Sequence, residues 1–161
     1  MARRWDLARN LMDRLDLSGL LVFGNSGINR HNEANVFWLT NHLDLHHNYL
    51  VAPRDRSIEP ALFTGLANHV PNAHQVSDIP VIEWGGYDPA AAVVARLRET
   101  SLDRGRLGLV GVNATFGMGM PYQHHRSLLD ALPELDLVEV TGELAALRAV
   151  KSDEEVVWLR R

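Results

Sequence analysis

The residues in this chain best suited to chemistry are its eight histidines, His31, His42, His46, His47, His69, His74, His124 and His125. His42 and His46 stand four apart. On a helix that spacing would put both imidazoles on one face, as a zinc site requires. The surrounding residues argue against a helix, since Asn41 and Asn48 bracket the stretch and it falls between two apolar runs. A metalloprotease helix of this kind also carries glutamate directly after its first histidine, and Leu43 stands there instead. Loop packing is therefore the favoured account of the cluster, with a metal site as its competitor. His124 and His125 follow Tyr122 and Gln123 in a helical segment, where surface exposure accounts for them.

Other constellations carry less. The glycine-bearing stretches 22–28 and 111–119 each follow an apolar run, but neither matches a dinucleotide fingerprint or a phosphate loop ending in Gly-Lys-Ser/Thr. Glycine after a strand ordinarily marks a turn. Asn25-Ser26-Gly27 is not a Gly-x-Ser-x-Gly nucleophile elbow. Glu33, Asp44 and Asp88 read as loop carboxylates serving salt links and caps. Taken alone, these residues assemble no catalytic constellation.

Composition narrows the possibilities further. At 161 residues there is room for one domain with a sizeable core. A net charge of -4 offers no footprint for nucleic acid or an anionic membrane, so neither is expected as a partner. With no cysteine, the chain has no disulfide framework, thiolate zinc site or cysteine nucleophile, which fits a cytoplasmic protein. Residues 1–19 carry charges throughout and lack the apolar core of a secretory signal. No stretch approaches the roughly 20 apolar residues of a membrane span.

The elements that must position these residues can be read from periodicity. Trp5, Ala8, Leu11, Met12 and Leu15 fall at helical spacing, predicting an opening helix that ends near Ser18-Gly19. Short apolar runs at 20–23, 36–40, 49–52, 60–64, 81–84, 107–112 and 135–140 read as strands. Asp88 followed by Pro89 predicts a capped helix to about Ser101, and 121–132 predicts another. Helical structure resumes from Gly142. The early links look hairpin-sized and the later ones long enough for crossovers. The expectation is a single α/β domain, three-layer-like, with a mixed sheet of about six strands flanked by helices.

The chain's last residues carry its sharpest local signal. Ser152 is a strong N-cap, and Glu155, three residues on, can close a capping box. Asp153, Glu154 and Glu155 place negative charge at the positive end of the helix dipole. Val156, Val157 and Leu159 follow, and neither glycine nor proline closes the helix before Arg161. The segment Leu144-Ala-Ala-Leu-Arg148-Ala-Val-Lys151-Ser152-Asp-Glu-Glu155-Val156 resembles the linker of the creatinase/prolidase family of metallohydrolases, which includes Xaa-Pro aminopeptidases. That linker runs Leu-Arg, two residues, Lys-Ser/Thr, two residues, Glu and an aliphatic. Gly19-Leu-Leu-Val-Phe and Arg106-Leu-Gly-Leu-Val-Gly-Val resemble two of the family's strands. Phe37-Trp-Leu-Thr-Asn-His42 resembles its aromatic-Leu-Thr-Gly-aromatic segment, with Asn41 at the usual glycine. Asparagine tolerates left-handed backbone better than other non-glycine residues, so that departure is mild. Residues 29–35 and 44–48 depart from the common pattern.

The resemblance implies a ribonuclease H-like N-terminal domain over 1–147, with 148–161 starting a linker helix to a C-terminal catalytic domain. It implies no catalytic residue, metal or cofactor in these residues, and two divalent ions (Mn, Co or Zn) in the C-terminal domain. Partners implied are that domain, a peptide or small-molecule substrate, and further copies of the chain in a homodimer or higher oligomer. Some relatives place residues flanking the Trp-Leu-Thr segment over a neighbouring subunit's site. The matching substrate-access positions are Asn35 and Trp38, with His46 and His47 nearby. A stand-alone interaction or small-ligand-binding domain is the alternative, and a small metal enzyme built on the histidines is a third reading.

Overall fold

The computed structural model describes residues 1–25, 32–112 and 119–160. His31, most of the glycine-bearing stretch 111–119 and the terminal Arg161 lie outside the described residues.

Strand β1 (Gly19–Gly24) is buried along its whole length and sits inside a six-stranded sheet of order β4-β3-β2-β1-β5-β6. The other strands are β2 (Asn48–Pro53), β3 (Ala61–Thr64), β4 (Val81–Trp84), β5 (Gly105–Val110) and β6 (Leu135–Glu139). β2 runs antiparallel to both neighbours, while the pairs β1–β5, β3–β4 and β5–β6 are parallel. The sheet is mixed, as expected. A strand covered on both faces needs no polar alternation, which is why 20–23 reads as a continuous apolar run.

Alternation survives as a partition of that run between two cores. Leu20 and Val22 join Leu50, Ala52, Leu62 and Val110 on one face, packed beneath α1 (Ala2–Leu15), α2 (Glu33–Thr40), α3 (Val70–Val76) and α6 (Thr141–Ala149). Leu21 and Phe23 join Tyr49, Val51, Phe63 and Leu109 on the other, beneath α4 (Pro89–Glu99) and α5 (Tyr122–Ala131). Successive side chains of a strand point to opposite faces, so each strand feeds both cores. The result is an α/β/α three-layer domain. A seventh helix, α7 (Asp153–Leu159), follows α6. Among the described residues no helix is long and apolar enough to cross a membrane.

Two expectations are corrected. Residues 36–40 are not a strand but the body of α2. A five-residue apolar run cannot separate a buried strand from a buried helix. Here α2 is buried on nearly every side, its Thr40 Oγ1–H donates to the Val36 carbonyl (2.8 Å), and Asn41 ends it at φ 60°. Asn41 thus occupies left-handed backbone, as its place in the motif implied. The links β1–β2 and β3–β4 are not hairpins, since α2 interrupts one and a 3-10 turn (Ala67–His69) with α3 interrupts the other. That second insertion shows no apolar periodicity in its sequence, ANHVPNAHQV.

Candidate functional site

The carboxyl ends of β1, β3, β4 and β5 and the start of β2 share one edge of the sheet, where ligands of open α/β sheets usually bind. Beneath that edge lies a buried polar network. Glu33, the first residue of α2, is 1% exposed, and Asp44, in the loop 41–47 after α2, is fully buried. One Glu33 oxygen accepts from the Asp44 backbone N–H at 3.0 Å, and both accept from Asn48 Nδ2 at 3.1 Å. Asp44 in turn accepts from the N–H groups of His46 and Gly65, each at 3.0 Å, and pairs with His69 Nδ1 at 2.8 Å. His42 Nε2 lies 3.5 Å from its other oxygen.

The two carboxylates respond oppositely to burial. Burial pushes the Glu33 carboxyl up to about 7 against the hydrogen bonds from Asp44 and Asn48, and the nearby Asp44 charge adds to the rise. Burial also pushes Asp44 up, but the donors from His42, Gly65, His46 and His69 outweigh it and hold the carboxyl well below the ordinary aspartate range. The difference is one of partners, because Asp44 collects several donors that favour its charged form. Gly24 on β1 makes room for the network, since a Cβ there would meet Asn48 Oδ1 at 2.2 Å and Glu33 Oε2 at 3.0 Å.

Above the network, His46 and His47 line a cleft of about 280 Å³ with His124, Trp84, Tyr87 and Gly65. His46 stacks on His69 at 6.2 Å, and His47 meets Phe23 at 5.6 Å and His124 edge-on at 5.9 Å. Trp84 and Tyr87 form an edge-to-face wall at 5.1 Å, with Tyr87 fully exposed. Tyr49 Oη lies 2.6 Å from His124 Nδ1. Burial, and then the Asp88 charge, keep Tyr49 protonated far above its usual range. The protonated hydroxyl can donate to Nδ1, an arrangement that leaves the proton of neutral His124 on Nε2. Burial holds His124 below its ordinary value against Asp88. His47 is lowered by burial and then by its histidine neighbours. In His47 and His124 the cleft thus presents two imidazoles that favour the neutral form beside an aromatic wall.

A second group lies on the α1/α2/α6 side. Arg148 Nη1 donates to Asn35 Oδ1 at 2.8 Å, and Asn35 Nδ2 reaches Asn32 Oδ1 at 3.4 Å. Arg4 bridges two helices, donating to the Trp38 carbonyl at the end of α2 (3.1 Å) and to Glu155 of α7 (2.7 Å). Both parts of the capping box form, Glu155 N–H to Ser152 Oγ at 3.2 Å and Ser152 N–H to Glu155 Oε2 at 2.8 Å. The Ser152 N–H foremost lowers the Glu155 carboxyl to about 2 against the opposing effect of burial, and Arg4 and the Ser152 hydroxyl lower it further. These residues surround a groove of about 380 Å³ lined by Arg4, Phe37, Trp38, Arg148, Lys151 and Glu155.

The four positions expected to shape substrate access fall into two places. His46 and His47 face the cleft, Asn35 is buried and tied to Arg148, and the Trp38 side chain sits in a core at 6% exposure. His42 and His46 do not share a helical face, because 41–47 is not helical and His42 is buried while His46 is exposed. Surface exposure does not account for His124, whose ring is half-buried against Tyr49 and His47. Glu33 opens α2 instead of lying in a loop, and Asp44, in a loop as expected, is fully buried. Their partners Asn48, Gly65 and His69 are scattered over 15–25 residues of sequence, and only an acid directly beside an apolar helix start hinted at Glu33. Among the described residues no three histidine, aspartate or glutamate side chains converge on a point that could hold a metal ion.

Comparison with known proteins reports on the same architecture. No curated protein sequence matches the chain. Among solved structures, a prolidase from Pyrococcus horikoshii aligns over 96% of this chain and 37% of its own, at 15% identity and TM-score 0.64. An Xaa-Pro dipeptidase from Bacillus anthracis aligns over 96% and 38%, at 16% identity and TM-score 0.72. A proline dipeptidase structure from Streptococcus pneumoniae aligns over 91% of this chain and 98% of its own, at 16% identity and TM-score 0.68. The chain thus spans little more than a third of the first two. At these identities the likeness is one of fold. The model of the Creatinase/Prolidase N-terminal domain matches residues 4–150, nearly every element that builds the two cores and the buried network, and the chain belongs to that family.

Proposed function

We propose that residues 1–147 act as the non-catalytic N-terminal domain of a metal-dependent Xaa-Pro peptidase, prolidase or creatinase-like hydrolase, with 148–161 beginning the connection to a C-terminal catalytic domain. The family match over residues 4–150 carries this reading. In it, the domain contributes to a homodimer or higher oligomer and shapes access of a peptide or small-molecule substrate, with His46 and His47 at the carboxyl edge as the access residues. Two divalent ions, Mn, Co or Zn, belong to the catalytic domain. The donor sets described above do not form such a centre, and no step of catalysis is assigned to them.

The state of α7 supports the same reading. None of its residues is buried, and Val157, Trp158 and Leu159 are 52%, 64% and 72% exposed. Apolar residues on a helix this well capped and ion-paired fit a surface that packs against another domain. A stand-alone ligand-binding or interaction domain is the second reading, favoured by the histidine and aromatic cleft. Assaying Ala-Pro and Gly-Pro hydrolysis with added Mn²⁺ separates the two. The polypeptide expressed from its native coding sequence turns over and residues 1–161 alone do not. Silence of both supports the second reading.

A further inference from the structure

We propose that Glu33 is a proton-linked latch on the loop 41–48, which sets how firmly His46 and His47 are held over the cleft. The inference stands on the buried network and does not depend on the hydrolase reading.

The latch has a simple mechanical form. Glu33 holds the loop through the Asp44 N–H and through Asn48 at the start of β2. Asp44 then holds the His46 N–H and, through Gly65 and His69, the turn after β3. Releasing Glu33 therefore frees the segment that carries both cleft histidines.

The groups facing Glu33 make its ionised form costly. From the loop comes the Asp44 carboxylate, with His42 behind it; from the turn after β3 comes His69, paired to Asp44 and not to Glu33. β2 offers the neutral Asn48 amide and β1 only Gly24. Among the described residues no arginine or lysine pairs with Glu33. Water reaching the carboxylate is the remaining relief, and the loop must loosen to admit it. The protonated form fits better, because Asn48 Oδ1 is buried without a hydrogen-bond partner. Rotating that amide would present its oxygen to a Glu33 O–H.

The direction of the pH response follows. Burial raises the Glu33 carboxyl in the closed loop from 4.5 to about 7. The latch is therefore firm at acid pH, weakens as pH rises between those values and is weakest above about 7. Asp44 is lowered, so its contribution is constant above the ordinary aspartate range and does not offset this. His47 and His124 are lowered and act oppositely, loosening the site as pH falls below the ordinary histidine value.

Amide hydrogen exchange across pH 4.5–8.5 tests the latch in the wild-type chain and in Glu33→Gln. Glutamine keeps an acceptor for the Asp44 N–H and supplies a donor to Asn48 Oδ1. In wild type, the protection factors of Asp44, His46 and Gly65, corrected for intrinsic rates, should fall by up to about tenfold per pH unit to pH 7 and then level. Glu33→Gln should lack that limb, while the histidine contributions, common to both proteins, cancel in the comparison. Identical profiles would overturn the proposal. Carbon-13 titration of the wild-type Glu33 carboxyl decides independently of whether the variant folds. A midpoint near 7 supports the latch, and one near 4.5 refutes it.

Discussion

Removing Asp44 probes the network where it is most heavily loaded. In Asp44→Ala the N–H groups of His46 and Gly65 and the ring nitrogen of His69 lose an acceptor at 2.8–3.0 Å, and His42 loses its 3.5 Å neighbour. A buried donor left without a partner costs about 1–3 kcal/mol. His46 is exposed and Gly65 and His69 are only half-buried, so water recovers part of this, and about 1 kcal/mol for each close bond is the fair weight. The removed carboxylate also leaves a gap in a fully buried position. The sum is about 3–5 kcal/mol at pH 7. Asp44→Asn, which keeps the shape but turns a donor toward donors, should cost about 2–3 kcal/mol. The sign with pH is definite. Asp44 is lowered in the folded state, so its stabilisation is present above the ordinary aspartate range and is lost as pH falls through the folded value. The gap between wild type and Asp44→Ala should thus be wider at pH 7 than at pH 3. Urea unfolding followed by tryptophan fluorescence at both values supplies the numbers, with unchanged m-values as the check on two-state behaviour. A loss below about 1 kcal/mol at pH 7, or a gap indifferent to pH, would refute the account of the network.

Tyr49→Phe removes the hydroxyl that can donate to His124 Nδ1, so the ring should lose its bias toward the Nε2–H tautomer. Nitrogen-15 shifts of the ring should show the Nε2–H tautomer in wild type alone. Ser152→Ala should weaken α7 by about 1 kcal/mol without moving the global unfolding midpoint, because no residue of α7 is buried. In wild type, the amides of 153–159 should already exchange faster than those of Leu109 and Val110. Equal protection in dilute protein would count against α7 as a helix awaiting a packing surface.

What could be read from the sequence was what is encoded locally. The capping box at Ser152 and Glu155 and the Asp88–Pro89 helix start each need residues at most three positions apart, and the structure forms both, with Asp88 Oδ1 accepting from the Ala91 N–H at 3.2 Å. The partly exposed β6 showed itself by alternation, while β1, β2 and β3 were visible because strands buried on both faces leave unbroken apolar runs. The same rule misled at 36–40, where a buried helix leaves the same trace. The buried network was not legible, because each carboxylate reads as a local salt link or cap until the fold brings Asn48, Gly65 and His69 to it. Nor could spacing reveal that Trp38 would point into a core while His46 and His47 face the cleft. The motif sets their order along the chain, whereas Trp38 lies inside α2 and the histidines lie in the loop beyond the left-handed cap at Asn41.

The central claim is that this family domain shapes access to a hydrolase site from its carboxyl edge, and His46 tests it better than Trp38. Trp38→Ala would also open a core cavity costing about 3–5 kcal/mol, which confounds kinetics with unfolding. His46 is exposed and joins the network through its backbone N–H, so its side chain can be removed with the network intact. The decisive measurement is kcat and KM for Xaa-Pro dipeptides with His46→Ala in the polypeptide expressed from the native coding sequence, with the melting temperature recorded in parallel. The account predicts an unchanged melting temperature and a KM raised or a substrate preference altered by about 1–3 kcal/mol, the scale of one pocket contact. Unaltered kinetics in a fully folded variant would contradict it.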